Sequence, residues 1–128
     1  CPVIDRPLWC LLDARKQEVY AACYQRKAHG LPEQSTPVEA LRPELVLEKI
    51  EAPALLAGPG LKEYHDFFVD QENLQLIPPA LSSPSAARIG FLAAEQLLQG
   101  KIQDPALIAP MYVRASEAEV NLNKILTR

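Results

Sequence analysis

The sequence predicts an α/β domain whose mixed sheet opens with a β-hairpin and is flanked by helices. Three observations predict it: two neighbouring apolar segments rich in β-forming residues, shorter apolar segments that alternate with helical patterns, and a long amphipathic stretch near residue 90. The chain has 128 residues, 48% of them hydrophobic and 23% charged. It is therefore long enough to bury a core of its own, and we expect one domain over 1–128.

The opening hairpin is predicted from two strands, at residues 7–14 and 19–25. Apolar side chains occur on both faces of each segment, which is typical of a central hairpin covered at least in part on both sides. The turn between the strands is four to five residues long and polar. Its charged residues are Asp13, Arg15, Lys16 and Glu18. A catalytic loop, a phosphate-binding loop and a solvated, ion-paired turn would share this local pattern.

The middle of the chain predicts short strands that alternate with helices. After a third short strand near 33–35, Thr36, Pro37 and Glu39 have the pattern of an N-cap, a first-turn proline and a capping-box acid. Pro43 then restarts the helix, which runs to about residue 51.

A short buried strand is predicted next, at residues 54–57. The sequence Gly58-Pro59-Gly60 is predicted to form a turn that connects this strand to a helix over 61–68. A further strand follows at 74–77.

The longest helix is predicted over 84–99, capped by Ser83 and Pro84 and ended by Gly100. Its apolar set is wide, so it is expected to pack against a sheet. A second capping box at 116–119 indicates a final helix, and residues 115–128 form either that helix or a flexible tail.

Residues that could catalyse a reaction or bind a metal are few and poorly spaced. The only histidines are His29 and His65, and neither has a second ligand four residues away, so no helical metal pair is predicted. Cys10 and Cys23 lie within predicted strands and are interpreted as core residues. Ser83 is expected to cap a helix, so no nucleophile elbow is predicted.

The sequence Gly58-Pro59-Gly60 stands where a helix N-terminus could meet a phosphate. Neither a dinucleotide-binding pattern nor a P-loop can be identified around it. A tight turn explains the same residues, so nucleotide contact through Gly58 and Gly60 is one of two open interpretations.

The overall charge and apolar pattern exclude several classes of protein. The formal net charge of −3 argues against a stand-alone nucleic-acid binder. No apolar run approaches the roughly 20 residues that span a bilayer, so no membrane association is expected. Three cysteines without ligand or disulfide spacing indicate a reducing, cytoplasmic location.

The segment "LLDARKQEVYAACY" resembles the strand-turn-strand signature of the TsaB (YeaZ) family. Three later segments agree with it: "AGPG" between a strand and a helix, "PSAARIGFLAAEQL" as the long helix, and "APMYVR" near the end of the chain. The resemblance covers nearly all 128 residues but only the C-terminal half of such a protein. We therefore expect the C-terminal lobe of a two-lobe protein whose N-terminal lobe is missing.

The resemblance implies a ribonuclease-H-like fold, as in actin, Hsp70 and the sugar kinases. It also implies a non-catalytic scaffold subunit of the bacterial complex that adds threonylcarbamoyl to the adenosine beside the anticodon of certain tRNAs. The implied partners are a TsaD-like catalytic subunit and a TsaE-like ATPase, with tRNA contacted only indirectly. No cofactor of the chain itself is implied, and ATP or ADP would bind only in the assembled complex.

The resemblance also assigns roles to residues outside any catalytic site. Asp13, Arg15 and Glu18 are interpreted as holding the hairpin turn in shape and facing the other lobe. Tyr112 and Arg114, which follow Pro110, are interpreted as anchoring the tail across the domain.

Three alternative functions remain from the sequence. The chain could be a degenerate nucleotide-binding lobe that senses ATP or ADP. It could be a peptidase, since the family has been called glycoproteases, but it has no His-x-x-x-His. It could also form a homodimer through surface that the other lobe would cover.

Overall fold

Six strands form one sheet in the part of the chain that the structure describes, residues 6–26, 32–51 and 53–113 of a computed structural model. The strands are β1 (Leu8–Arg15), β2 (Glu18–Gln25), β3 (Glu33–Gln34), β4 (Glu39–Leu41), β5 (Ala54–Ala57) and β6 (Leu74–Leu76). The helices are α1 (Pro43–Lys49), α2 (His65–Phe68), α3 (Pro79–Ser82) and α4 (Ala86–Leu98), with 3₁₀ turns at Pro59–Lys62 and Pro105–Leu107.

The sheet is mixed, as the sequence predicts. Its order is β3-β2-β1-β5-β6, and β4 pairs with β2 beside β3. The hairpin β1–β2 is antiparallel, and β3 and β4 also run antiparallel to β2. Strand β5 runs parallel to β1, and β6 runs parallel to β5. The predicted α/β class with an opening hairpin and flanking helices is therefore confirmed.

One face of the sheet carries the hydrophobic core. Alternate residues of β1, β2 and β5 point into it because side chains alternate along a strand. The helices α1 and α2 and the first 3₁₀ turn cover this face. Burial of each large side chain contributes about 1.5–3 kcal/mol. The largest fully buried side chains are Phe68, Leu11, Leu56, Val19 and Val46.

The opposite face of the sheet is only partly covered. Leu8 pairs with Tyr24, and Leu12 pairs with Tyr20, so all four side chains share this face. Leu12 is 48% exposed and the other three are half-buried. The sequence predicts that both faces of the hairpin are covered at least in part. In the structure, one face is well buried and the other is half-open.

The predicted helix start at Thr36 is wrong. Thr36 Oγ1 accepts a hydrogen bond of 2.8 Å from the backbone N–H of Cys23, which binds residues 35–36 to the edge of β2. Glu39 then begins β4 instead of closing a capping box. The helix starts only at Pro43, where a proline is favourable because its missing N–H would have no partner.

The predicted helix over 61–68 is replaced by two shorter turns. A 3₁₀ turn spans Pro59–Lys62, and α2 begins at His65. Leu61 and Phe68 from the two turns are both buried in the core. A continuous helix is therefore not needed to bury the apolar residues of this segment.

The long helix is present but does not pack as predicted. Its N-cap is Ser85, whose hydroxyl accepts a hydrogen bond from the N–H of Arg88, because Ser83 instead donates to the carbonyl of Pro79 and closes α3. Gly100, with a φ of 73°, follows its end as expected. No residue of α4 is buried, so the predicted packing of this helix against the sheet is wrong.

Several expectations fall outside the described residues. They are the final helix or tail at 115–128 and the anchoring role of Arg114, and His29 also lies outside these residues. Within the described ranges, no helix has the length and apolar character required to cross a bilayer.

Candidate functional site

The hairpin tip, residues 13–18, has an unusual backbone for its sequence. The connection is a two-residue turn, Lys16 and Gln17, shorter than the four to five residues predicted. Arg15, Lys16 and Gln17 have φ values of 62°, 53° and 61°. Two-residue hairpin turns favour glycine or asparagine there, because a Cβ in this left-handed region costs roughly 1–2 kcal/mol per residue. Three consecutive residues with Cβ atoms therefore store strain at the tip.

Asp13 holds the tip through two contacts to Arg15. Its Oδ1 accepts a hydrogen bond of 2.8 Å from the Arg15 backbone N–H, and its Oδ2 lies 3.3 Å from Arg15 Nη1. The Asp13 side chain is only 25% exposed, whereas that of Arg15 is 87% exposed. Between them the pairing with β2 shifts register, and Ala14 is buried. The contacts of Asp13 thus fix the backbone while Arg15 projects into solvent.

Glu18 begins β2 and is the register partner of Arg15 across the turn. The tip therefore places a guanidinium and a carboxylate on adjacent strand ends. Contacts between exposed groups of this kind contribute about 0–1 kcal/mol each. The stabilisation from these charge contacts is therefore smaller than the strain energy of the turn that carries the two residues.

The glycine turn, made of Gly58, Pro59 and Gly60, lies directly against β1. A Cβ on Gly58 would be 2.2 Å from the carbonyl oxygen of Leu11, and a Cβ on Gly60 would be 3.0 Å from the same carbonyl group. Gly58 also has a φ of 116°, a conformation that only glycine adopts readily. Close packing against the hairpin therefore explains both glycines.

Tyr64 follows the glycine turn in the chain and is affected electrostatically by the hairpin tip. It lies at the edge of the core, just after the 3₁₀ turn. Partial burial raises the pKa of its hydroxyl, and the carboxylates of Asp13, Glu63 and Glu18 raise that pKa further, while Arg15 lowers it. The phenol is thus a neutral hydrogen-bonding group within the electrostatic reach of the tip.

The described residues therefore bring together two motifs that the sequence singled out separately. The glycine turn packs against the backbone of Leu11 and Leu12, which directly precede the hairpin tip in β1, and the charges of the tip shift the pKa of Tyr64. The arrangement offers charged and hydrogen-bonding groups on a rigid two-part support. Such a surface is suited to contact with another protein surface or lobe.

Other predicted residues lie away from this cluster. Tyr112 follows the last 3₁₀ turn and is 81% exposed, and Arg114 lies outside the described residues. His65 is exposed, with its Nδ1 3.5 Å from an Asp66 oxygen. Among the described residues, no three His, Cys, Asp or Glu side chains are grouped as metal ligands.

The two interior thiols lie on opposite faces of the sheet. Cys23 pairs with Trp9 on the core face and is buried, whereas Cys10 pairs with Ala22 on the half-open face. Burial raises the pKa of the Cys10 thiol, and the nearby Cys23 raises it further. A raised pKa leaves less thiolate at neutral pH, which makes Cys10 a poor nucleophile.

Tyr64 is the site residue that sequence reasoning missed. The segment "KEYHDFF" directed attention to its histidine. The available signal was spacing: Tyr64 precedes Phe68 by four residues, so on a helix both would lie on the same face. The break between the 3₁₀ turn and α2 leaves Tyr64 at the core edge, where the charged groups of the tip act on its hydroxyl electrostatically.

These features define a ribonuclease-H-like α/β fold with a charged hairpin tip and a tightly packed glycine turn. No protein-family model matches the chain, and no curated protein does either. Solved structures do match it. One is a crystal structure of an uncharacterized protein from Pseudomonas aeruginosa with similarity to peptidase YEAZ, with a TM-score of 0.65 and 25% identity. YeaZ from Pseudomonas aeruginosa matches with a TM-score of 0.64 and 25% identity.

The two matches cover 86% and 84% of this chain and 50% of each matched chain. The resemblance of this chain to the TsaB (YeaZ) family, and to its C-terminal subdomain, is therefore confirmed at the level of the fold. The chain spans half of the length of the solved structures that it matches.

Proposed function

We propose that this chain is the second lobe of a TsaB-type subunit that has no catalytic role of its own. In this proposal it acts in the cytoplasm and supports a TsaD-like catalytic subunit, joined by a TsaE-like ATPase, in adding threonylcarbamoyl to tRNA. The observation that carries the proposal is the structural likeness to YeaZ from Pseudomonas aeruginosa over 84% of the chain at a TM-score of 0.64.

The hairpin tip supports a role in contact with another lobe or subunit. Its exposed Arg15 is presented by a turn that a glycine-containing sequence would form with less strain. Strain of this kind persists where a function needs the side chains it presents. We therefore assign the contact with the partner protein to the tip.

The geometry of the glycine turn favours the scaffold over a nucleotide sensor. The close approach to Leu11 accounts for Gly58 and Gly60 without a ligand. Titration of the chain with ATP and with ADP tests the alternative. A measurable affinity that Gly60→Ala abolishes, in a variant that stays folded, would establish the nucleotide-sensing function instead.

The main test is reconstitution of threonylcarbamoyl transfer. Radioactive threonine incorporated into tRNA would be measured with TsaD-like and TsaE-like proteins from the same organism. The chain would be added or omitted. We expect incorporation to depend on the added chain. Equal incorporation with and without the chain would refute the proposal.

The contribution of the tip is tested by Arg15→Ala, with Arg26→Ala as the matched control. Arg26 is an exposed arginine just after β2, at the opposite end of the hairpin. We expect Arg15→Ala to weaken calorimetric binding to the TsaD-like subunit, and Arg26→Ala to leave it unchanged. Equal effects of the two variants would show that general charge, and not the tip, determines binding.

A further inference from the structure

The four charged side chains of the hairpin tip differ in how far they reach into solvent. Arg15 and Lys16 are exposed, whereas Asp13 and Glu18 are half-buried. The side chain of Arg15 is 87% exposed and that of Asp13 is 25% exposed. The two positive charges therefore form the outer layer of the tip, and the two carboxylates lie deeper. A surface that meets the tip contacts the cations first, although the four formal charges sum to zero.

The backbone of the turn holds this outer layer in place. Arg15, Lys16 and Gln17 have consecutive φ values of 62°, 53° and 61°, and Arg15 and Glu18 are register partners at the end of the ladder. The turn cannot relax from these values without loss of strand pairing. A contact surface on a backbone that is already ordered loses less conformational entropy when it binds.

Asp13 restricts the side chain of Arg15 as well as its backbone. Asp13 Oδ1 accepts the hydrogen bond from the Arg15 N–H, and Asp13 Oδ2 lies 3.3 Å from Arg15 Nη1. A guanidinium has five N–H donors in a planar fork, so a contact at Nη1 leaves donors for a second acceptor. Asp13 therefore acts as a positioning residue, because it orders Arg15 before any partner binds.

A carboxylate on another protein is the acceptor that fits this presentation. A guanidinium forms short bidentate pairs with carboxylates and with phosphates. The phosphates of a nucleic acid would meet two cations backed by two carboxylates, on a chain with a net charge of −3. Binding to a phosphate backbone requires a basic excess that supplies several contacts at once. The charge pattern therefore favours a single acidic patch on a protein over a polyanion.

We propose that the hairpin tip docks against an acidic patch of its partner subunit, where a carboxylate pairs with the guanidinium of Arg15 that Asp13 positions. The proposal rests on the TsaB-type function given above, because that function supplies the partner, the TsaD-like subunit. It adds the chemistry that the partner presents, and it gives Arg15 and Asp13 separate roles. Arg15 makes the contact, and Asp13 holds Arg15 in place.

Calorimetric titration of the TsaD-like subunit at about 0.05 M and about 0.5 M salt tests the charge of the partner surface. We expect the Kd of the wild-type chain to rise with salt, because salt screens exposed charges. Arg15→Ala should raise the Kd about tenfold at the lower salt and should be less sensitive to salt. Arg15→Lys should keep only part of the affinity, because an ammonium group cannot form the bidentate fork. The control Arg26→Ala should keep the wild-type affinity.

The titration distinguishes a failure of the proposed function from a failure of the tip contact. A wild-type chain that does not bind the TsaD-like subunit at either salt would refute the proposed function, and the tip contact with it. A wild-type chain that binds with a Kd unaffected by Arg15→Ala would overturn the tip contact alone. Affinity that does not change with salt would equally overturn it.

A double-mutant cycle tests the positioning role of Asp13. Asp13→Glu keeps the negative charge but adds a methylene group, which disturbs both contacts to Arg15. By itself it should raise the Kd about threefold, and in the Arg15→Ala background it should add nothing, because the two residues act as one unit. An equal effect in both backgrounds would show that Asp13 acts independently of Arg15 and would contradict the role.

Circular dichroism of each variant shows whether it is folded. Should Asp13→Glu unfold the hairpin, Asp13→Asn would replace it, since the amide oxygen can still accept the Arg15 N–H but cannot form the ion pair. Its titration would be made at the higher salt, where the effect of removing a negative charge is screened and the loss of positioning remains.

Carbodiimide cross-linking identifies the acceptor group. The reagent joins a primary amine and a carboxylate in an amide bond and takes up the water that is released. Arg15→Lys places such an amine at the tip, and we expect mass spectrometry to find an amide between position 15 and an acidic residue of the TsaD-like subunit. Arg26→Lys is the control and should give no such link. A complex that forms with Arg15→Lys but gives no link from position 15 would overturn the proposal.

Filter binding of tRNA by the isolated chain tests the other source of an anion. We expect no retention of tRNA at about 0.15 M salt, because the chain lacks a basic excess. Retention that Arg15→Ala abolishes and Arg26→Ala preserves would assign the tip to phosphate instead, and would reject the acidic protein patch.

Discussion

At the residue scale, Gly58 shows how one missing side chain sets the position of a whole turn. Its Cα lies against the Leu11 carbonyl, so the turn after β5 sits directly on β1. The same contact brings the turn near the hairpin tip. The sequence indicates a tight turn here but not what the turn touches, because Leu11 is 47 residues away.

Replacing Gly58 by alanine is expected to lower the free energy of unfolding by about 3 kcal/mol or more, since both the clash at 2.2 Å and the positive φ oppose a Cβ. The change in the free energy of unfolding is measured by urea denaturation, with the fluorescence of Trp9, the one tryptophan, as the signal. Gly90→Ala is the control, because a Cβ there meets nothing within 4 Å. A loss below about 1 kcal/mol for Gly58→Ala would contradict the packing described.

Alkaline pH is expected to destabilise the domain through Cys10 and Tyr24. Burial raises the pKa of both groups. The nearby Cys23 raises the pKa of Cys10 further, and Cys10 raises the pKa of Tyr24 further. Because the folded state favours the protonated forms, this stability is complete below the unfolded values of about 8.5 and 10. It is lost as the pH rises through the higher folded values.

Urea midpoints at about pH 7 and about pH 11, which lie on either side of both unfolded values, test this dependence. The decrease between the two should be smaller for Cys10→Ala and for Tyr24→Phe than for the wild-type chain. An identical decrease in all three proteins would mean that other groups cause the loss of stability at alkaline pH.

At the element scale, the hairpin is the part of the fold that the sequence predicts best. The predicted strands at 7–14 and 19–25 differ by one residue at most boundaries from β1 and β2. The turn was predicted too long because its sequence lacks the glycine or asparagine that signals a two-residue loop. The observed positive φ values are imposed by the pairing of the strands and not by local preference.

The double substitution Lys16→Asn, Gln17→Gly should therefore raise the free energy of unfolding by about 1 kcal/mol, since it relieves the left-handed strain. Gln25→Gly is the matched control within extended β2 and should lower it by about 0.5–1 kcal/mol. Urea denaturation provides both values. Destabilisation by the double substitution would mean that the native side chains stabilise the tip more than the turn strains it.

At the scale of the whole molecule, the chain divides into a packed sheet domain and an arm that adds no buried residue. The buried core residues lie between Trp9 and Phe68. The arm over 79–113 contributes exposed apolar area instead. The stability of the sheet domain should therefore be separable from the presence of the arm.

Ending the chain after residue 85 tests this separation. The truncated protein should unfold within about 1 kcal/mol of the full chain when both are measured at concentrations too low for association. Trp9 fluorescence in urea reports the sheet in both proteins because Trp9 is buried in the core. A much larger loss would show that the arm stabilises its own domain.

By itself the sequence determined the local structure and the family resemblance. Alternation of apolar residues predicted the strands, proline and glycine marked the ends of α1 and α4, and the "DAR…EVY" segment pointed to the TsaB (YeaZ) family. These signals depend on residues close together in the chain, which is why they can be identified without coordinates.

Only the tertiary structure decided which segments meet. Thr36 was predicted to cap a helix, but its hydroxyl instead accepts a hydrogen bond from Cys23 at the edge of β2. The segment around Thr36 is therefore a connection between strands. The Leu11 carbonyl fixed the glycine turn, and the bond from Arg88 to the Leu81 carbonyl tied α4 to α3. Each outcome is a contact between residues or elements whose relative positions the local pattern does not specify, so it is settled only when the chain has folded.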